Sequence, residues 1–280
     1  MVEATRTLRL GHSPDADDAF MFFGLGRGPA TGLAFEHVIQ DIETLNRRAL
    51  RGELEVTAVS VHTLAFVASR YALLRCGASV GEGYGPRVVA RSAMALEDLA
   101  GARIAIPGAL TTASLALRLR LHAFEAVPVP FDQVLDVVAR GDVKAGLVIH
   151  EGQLTYRDHG LELVEDLGVS WTARTGLPLP LGVNVVRRDL SSGLQQEIGR
   201  SLRASIELSL RERPAALAHA ATYGRGIDAA TLDQFVRWYV NDRTLDLGAD
   251  GLAAIRRLLG EAAERGLVPS VRPELLDFVC

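Results

Sequence analysis

His150-Glu151-Gly152 is the stretch of this sequence best equipped to move a proton. It follows Ala145-Gly146-Leu147-Val148-Ile149, an apolar run that reads as a short buried strand. Open α/β sheets hold their ligands at the carboxyl ends of such strands, and the unperturbed pKa of histidine suits it to take or give a proton at working pH. The same residue could equally close the strand end with a hydrogen bond, and the segment by itself leaves both readings open. Glu151 could orient the imidazole or cap the helix that follows. No Gly-x-Ser-x-Gly element suggests a serine triad, and His150 and Glu151 do not form a His-Glu-x-x-His zinc motif. His12, His37, His62, His122, His159 and His219 have no mutual metal spacing.

Anion binding is the chemistry of a second stretch, Pro107-Gly108-Ala109-Leu110-Thr111-Thr112-Ala113-Ser114. A strand runs into Gly and then into paired threonines at a helix start, where backbone N–H groups and hydroxyls are free to hold an anion. There is no Gly-Lys-Ser/Thr of a P-loop, and the site is small enough for a carboxylate. A plain threonine cap is the alternative. Ser60, at the end of Glu55-Val56-Thr57-Ala58-Val59, offers a matching hydroxyl. A third stretch, Ser13-Pro14-Asp15-Ala16-Asp17-Asp18, puts three acids at a helix start, where they complement the helix dipole. Asp15 and Asp17 read as capping residues, and Asp18 as a contact for a substrate hydroxyl. A calcium loop would need a longer ligand spread and a distal Glu.

The elements that must position these residues alternate. Strands are expected at 7–10, 34–40, 55–60, 71–76 and 86–92, with a helix capped by Asp41 and stopped at Gly52, and a Gly-rich loop over 77–85. A second block has a short helix at 96–99, a strand at 103–106, helices over 111–124 and 131–140, and the strand leading to His150. Such alternation predicts βαβ units and a parallel sheet. Thr175-Gly176-Leu177-Pro178-Leu179-Pro180-Leu181-Gly182 reads as a crossing segment, 183–187 as a returning strand, and 191–212, 214–223, 228–241 and 249–265 as helices. Two crossings, near 92–95 and 176–182, divide the chain into residues 1–92 with 181–280, a larger lobe with a helical tail, and residues 93–180, an inserted lobe.

Composition bounds the rest. The 280 residues are 48% hydrophobic and 23% charged, an ordinary globular balance. The net charge of −4 and the lack of a basic block argue against a nucleic-acid partner. No apolar stretch approaches a membrane span, and the N-terminus lacks an export signal. Cys76 and Cys280 are far apart and have no metal spacing, Cys76 reading as a small core residue. A cytoplasmic location is expected.

In this order, GHSPDADDAFMFFGL, PGALTTASLALRL, AGLVIHEGQLTY and RTGLPLPLGVNVVRRDL resemble the 1,4-dihydroxy-6-naphthoate synthase family of the futalosine route to menaquinone; a later WYVNDRTLDLG also looks like that group. The resemblance implies an α/β, two-lobed, periplasmic-binding-protein-like (type II) fold with a central cleft. The implied activity is that of a lyase, converting cyclic dehypoxanthine futalosine to 1,4-dihydroxy-6-naphthoate without a cofactor or metal. Carried over by position, His150 matches the general base, Thr111, Thr112 and Ala113 the loop that holds a substrate carboxylate, and Ser60 a cleft hydroxyl. The partner implied is a small-molecule carboxylate, with neither nucleic acid nor membrane. One departure stands out: typical synthases read Ser-Pro-Cys-Pro-Asn-Asp where this chain has Ser-Pro-Asp-Ala-Asp-Asp, which changes the charge near the cleft and opens the possibility of another substrate. The alternatives are a chorismate dehydratase-like enzyme of the same pathway, and a solute-binding or ligand-sensing protein on the same fold.

Overall fold

The computed structural model describes residues 6–25, 33–224 and 226–279; Cys280 lies outside them. The described residues open with β1 (Arg6–His12), α1 (Ala16–Met21), β2 (Leu33–Ile39), α2 (Ile42–Arg51), β3 (Val56–Ser60), α3 (Val61–Val67), β4 (Tyr71–Leu73) and β5 (Ser79–Gly81). It continues with β6 (Arg87–Ala90), β7 (Arg103–Ile106), α4 (Thr112–Arg120), β8 (Glu125–Pro128), α5 (Val134–Arg140), β9 (Ala145–Val148), α6 (Gly152–Thr155), β10 (Glu162–Asp166) and α7 (Leu167–Thr175). β11 (Leu179–Arg187) follows, and then α8 (Ser192–Arg211), α9 (Arg213–Ala221), α10 (Ala229–Tyr239), α11 (Asp242–Leu245) and α12 (Gly248–Glu264).

Two sheets carry the two lobes. The first has the order β2-β1-β3-β11-β4, with β5 paired to β11; the second has the order β10-β6-β9-β7-β8. The expected all-parallel pairing holds for β1 with β2 and β3, and for β7 with β8 and β9. It fails for β11, β6 and β10, which run antiparallel to their neighbours. Both sheets are therefore mixed, because strands that cross between lobes enter from the opposite end. The chain leaves the first sheet over residues 82–86. The boundary expected at residue 92 thus falls after β6, whose Val88 and Val89 pair with Leu147 and Gly146 of β9.

Local sequence explains most element ends. Asp41 accepts from the Thr44 N–H at 3.0 Å, and Gly52 ends α2 at φ 71°, a left-handed conformation that costs glycine little. Asp166 caps α7 through the N–H groups of Gly168 and Val169. The helix expected over 111–124 stops at Arg120, and the residues after it turn into β8, an edge strand that pairs with β7. The Gly-rich loop contains β5, held by β11. β11 also begins within the expected crossing segment, at Leu179.

α1 is buried against α8, α9 and α10, with Phe20, Met21, Phe22 and Phe23 in one apolar cluster with Ile198, Leu202, Phe235 and Val236. A second cluster runs through both lobes, joining Val59, Val183 and Leu258 to Ile104, Leu115 and Leu147. Removing such area from water is the main stabilising term, at about 25 cal/mol per Å². No helix among the described residues is long and apolar enough to cross a membrane. Cys76 is buried, its thiol 3.6 Å from Gly199 O, as expected of a core residue.

Candidate active site

Four strand-to-helix junctions face one another across a cleft with about 720 Å³ of empty space, its open mouth included. The β1–α1 turn brings Ser13, Asp17 and Asp18, and the β3–α3 junction brings Ser60. The β7–α4 junction brings Thr111, Thr112 and Ala113, and the β9–α6 junction brings His150 and Gln153. Leu181 and Gly182 of β11 and Phe235 and Tyr239 of α10 close the sides. All six residues singled out from sequence (His150, Ser60, Thr111, Thr112, Ala113 and Asp18) line this one cleft.

His150 adopts φ 54°, and it is the only non-glycine residue with positive φ among those described. The left-handed conformation costs about 1–2 kcal/mol for a residue with a Cβ, so the surrounding structure must hold it there. Gln153 supplies part of that hold. With its amide oxygen turned toward the strand end, it accepts from the His150 N–H at 3.2 Å and from the Tyr239 hydroxyl at 3.0 Å, while its nitrogen donates to Gly85 O at 2.6 Å. The imidazole lies edge-on to Phe131, ring centroids 5.1 Å apart. Its Nε2 is 3.2 Å from Asp15 Oδ2, an ion-pair distance that is off the line of a hydrogen bond.

That contact corrects the reading of Asp15 as a helix cap. Its side chain makes no capping hydrogen bond to α1 and lies instead beside the histidine. Asp17 is likewise no cap: it lines the cleft, and its Oδ2 accepts from Ser79 Oγ at 3.4 Å. Burial, reinforced by Asp18, Asp15 and Glu151, pushes the Asp17 carboxyl well above the usual range. Asp18 Oδ2 accepts from the Ser13 N–H at 2.6 Å and so pins the turn. Burial raises the Asp18 carboxyl from 3.8 to about 6 against the lowering effect of that bond. Glu151 does not cap α6.

Ser60 and the β7–α4 junction form another part of the cleft lining. Thr111 caps α4 by accepting from the Ser114 N–H at 3.2 Å. The Thr112 hydroxyl donates to Leu181 O at 2.6 Å and accepts from the His62 N–H at 3.2 Å, which ties the lobes together and commits that hydroxyl. What remains at the α4 start is the backbone N–H groups of Thr112 and Ala113, two of the donors a helix leaves unsatisfied. Ser60 stands beside them. Its Oγ accepts from Asn46 Nδ2 at 3.0 Å and its N–H donates to Asn46 Oδ1 at 2.9 Å, leaving the hydroxyl proton for the cleft. Glu43 steadies the same loop by accepting from the Leu110 N–H at 2.9 Å.

Sequence reasoning passed over Asn46, Ser79 and Tyr239, the contact of Asp15 with His150 and the place of Asp17 in the cleft lining. For Asn46 there was a signal: it shares the buried face of α2 with Leu45 and Ala49, where a lone polar residue needs partners. Tyr239 carried none, since an aromatic at a helix end reads as core. Among the described residues, no group of three or more His, Cys, Asp or Glu side chains is arranged to hold a metal ion.

Residues 8–264 match the protein family described as menaquinone biosynthesis. A Thermus thermophilus protein named 1,4-dihydroxy-6-naphthoate synthase is 43% identical over 95% of this chain and 98% of its own length. A crystal structure of an Archaeoglobus fulgidus protein superposes with a TM-score of 0.90 at 47% identity, covering 94% of this chain and 98% of that one. The alkanesulfonate-binding protein of Xanthomonas axonopodis, bound to MOPS, superposes with a TM-score of 0.69 at 16% identity over 96% of both chains, a likeness of fold alone. The two-lobed periplasmic-binding-protein-like architecture expected from sequence is thus the one observed.

Proposed function

This chain belongs to the menaquinone biosynthesis family, and from that premise we propose that it is a 1,4-dihydroxy-6-naphthoate synthase, a lyase acting on cyclic dehypoxanthine futalosine in the cytoplasm. The observation that carries the reading is the convergence, in one cleft, of His150 and an anion-binding wall made by Ser60 and the α4 start. The substrate is a fused, non-aromatic ring system with a carboxylate at one end and a ribose-derived portion at the other. The carboxylate binds the N–H groups of Thr112 and Ala113 and the Ser60 hydroxyl. His150 takes a ring proton as general base. Asp15 holds the other ring nitrogen, a contact that aligns when substrate closes the cleft, as catalytic hydrogen bonds commonly do. The electron pair left behind expels the sugar-derived fragment, and aromatisation to the naphthoate supplies the driving force. The protein's task is to supply a base, orientation and a dry cleft.

The test is to incubate purified protein with cyclic dehypoxanthine futalosine and follow naphthoate absorbance, with His150→Ala alongside. Turnover by the wild type and a loss of about 10²–10⁴-fold in the variant are expected. A variant that turns over at the wild-type rate refutes the role of His150, and an inactive wild type that still binds the compound refutes the synthase reading.

A further inference from the structure

The three acids of the β1–α1 turn have distinct positions. Asp15 faces the histidine, Asp18 pins the Ser13 N–H, and Asp17 alone among them has a cleft-lining carboxyl with an unused oxygen. Asp17 is 7% exposed, and its Oδ1 is buried without a hydrogen-bond partner among the described residues. An ionised carboxylate in that setting would be very costly. A neutral carboxylic acid would instead present one O–H that needs an acceptor.

We propose that Asp17 is a substrate-orienting donor whose carboxyl O–H hydrogen-bonds an uncharged oxygen, a hydroxyl or carbonyl, of the bound ring system. This rests on the synthase reading and names a residue that fixes the substrate through an uncharged oxygen rather than through its carboxylate. Burial and the neighbouring acids favour the neutral form, against the lowering effect of the Asp18 backbone N–H. Asp15 and Asp18 flank Asp17 on its own turn, Glu151 faces it from the start of α6, and Tyr239 approaches from α10 with its own hydroxyl held neutral by burial. Ser79 of β5 is its nearest hydrogen-bond partner. His150 lines the same cleft, and Arg213 of α9 is engaged on the face of Phe20. Charge is therefore not what Asp17 adds to the cleft; it adds a neutral donor.

Infrared difference spectra between wild type and Asp17→Asn, and kinetics of Asp17→Asn and Asp17→Leu with cyclic dehypoxanthine futalosine, test this. Near neutral pH the wild type is expected to show a carboxylic-acid carbonyl band that Asp17→Asn lacks. Asp17→Leu is expected to raise KM by about tenfold, the worth of one buried hydrogen bond, with a smaller effect on kcat. Asp17→Asn is expected to recover most of that loss and to remove whatever fall in kcat/KM accompanies ionisation of Asp17. Absence of the band, or Asp17→Leu and Asp17→Asn behaving alike in KM, overturns the proposal. An inactive wild type counts against the synthase reading, while the infrared result judges the protonation of Asp17 independently.

Discussion

Asp18→Asn is expected to make the protein more stable at neutral pH. The carboxyl is buried on α1, and its folded value of about 6 stands above an ordinary 3.8. The folded state therefore binds its proton more tightly than the unfolded chain. Its contribution is most favourable below pH 3.8, where both states are protonated, and is lost as pH rises through about 6. Above that value the ionised group destabilises the fold by about 3 kcal/mol, at about 1.4 kcal/mol for each tenfold in proton affinity. Asparagine has nearly the same shape, and its carbonyl oxygen can still accept from the Ser13 N–H, so the turn survives. With an unfolding entropy of about 2.1 cal/mol/K per residue, the full 3 kcal/mol corresponds to a rise in Tm of about 5 °C. Thermal unfolding of both proteins across about pH 4 to 8 reads this directly. The Tm difference should be small at the acid end and open up through about pH 6. Curves that run parallel across the range, or a variant less stable than wild type at pH 7.5, would refute the argument that burial of this carboxyl costs stability.

Two further outcomes follow from the same turn and strand end. Asp15→Asn is expected to leave the fold intact and to lower kcat by about 10²-fold or more, because the imidazole loses the carboxylate that orients it; an unchanged kcat would remove Asp15 from the site. His150→Gly is expected to be more stable than His150→Ala by about 1 kcal/mol, since only glycine occupies φ 54° without strain, and comparative denaturation measures the difference.

The site was more legible in the sequence than the sheets. His150, Ser60 and the Thr111–Ala113 turn, which share one cleft, stand out in the sequence because a strand running into a helix start is a local pattern, and each junction sits at the end of a buried run such as Ala145–Val148. Pairing is not local. Nothing in Arg87–Ala90 says whether it joins the first or the second sheet, and only contact with β9 and β10 decides it. β8 was hidden because Glu125–Pro128 is a half-exposed edge strand without a continuous apolar signal. Asp15 and Asp17 misled for an instructive reason. Acids at a helix start are commonly caps, and only the fold brings His150 to within 3.2 Å of Asp15.

The place of β11 has a consequence for how the molecule is made. In the first sheet this strand lies between β3 and β4, with Val185 opposite both Thr57 and Leu73. In the chain it comes after the whole of the second sheet. A nascent chain therefore carries β3 and β4 as unpaired edges while the second sheet is being synthesised, and the first sheet cannot close until Arg187 has emerged. Long-range closure of this kind is slow, and open edges invite pairing with other chains. The topology thus sets an order of strand completion: the second sheet has all its strands by Asp166, and the first sheet waits for a strand that arrives late.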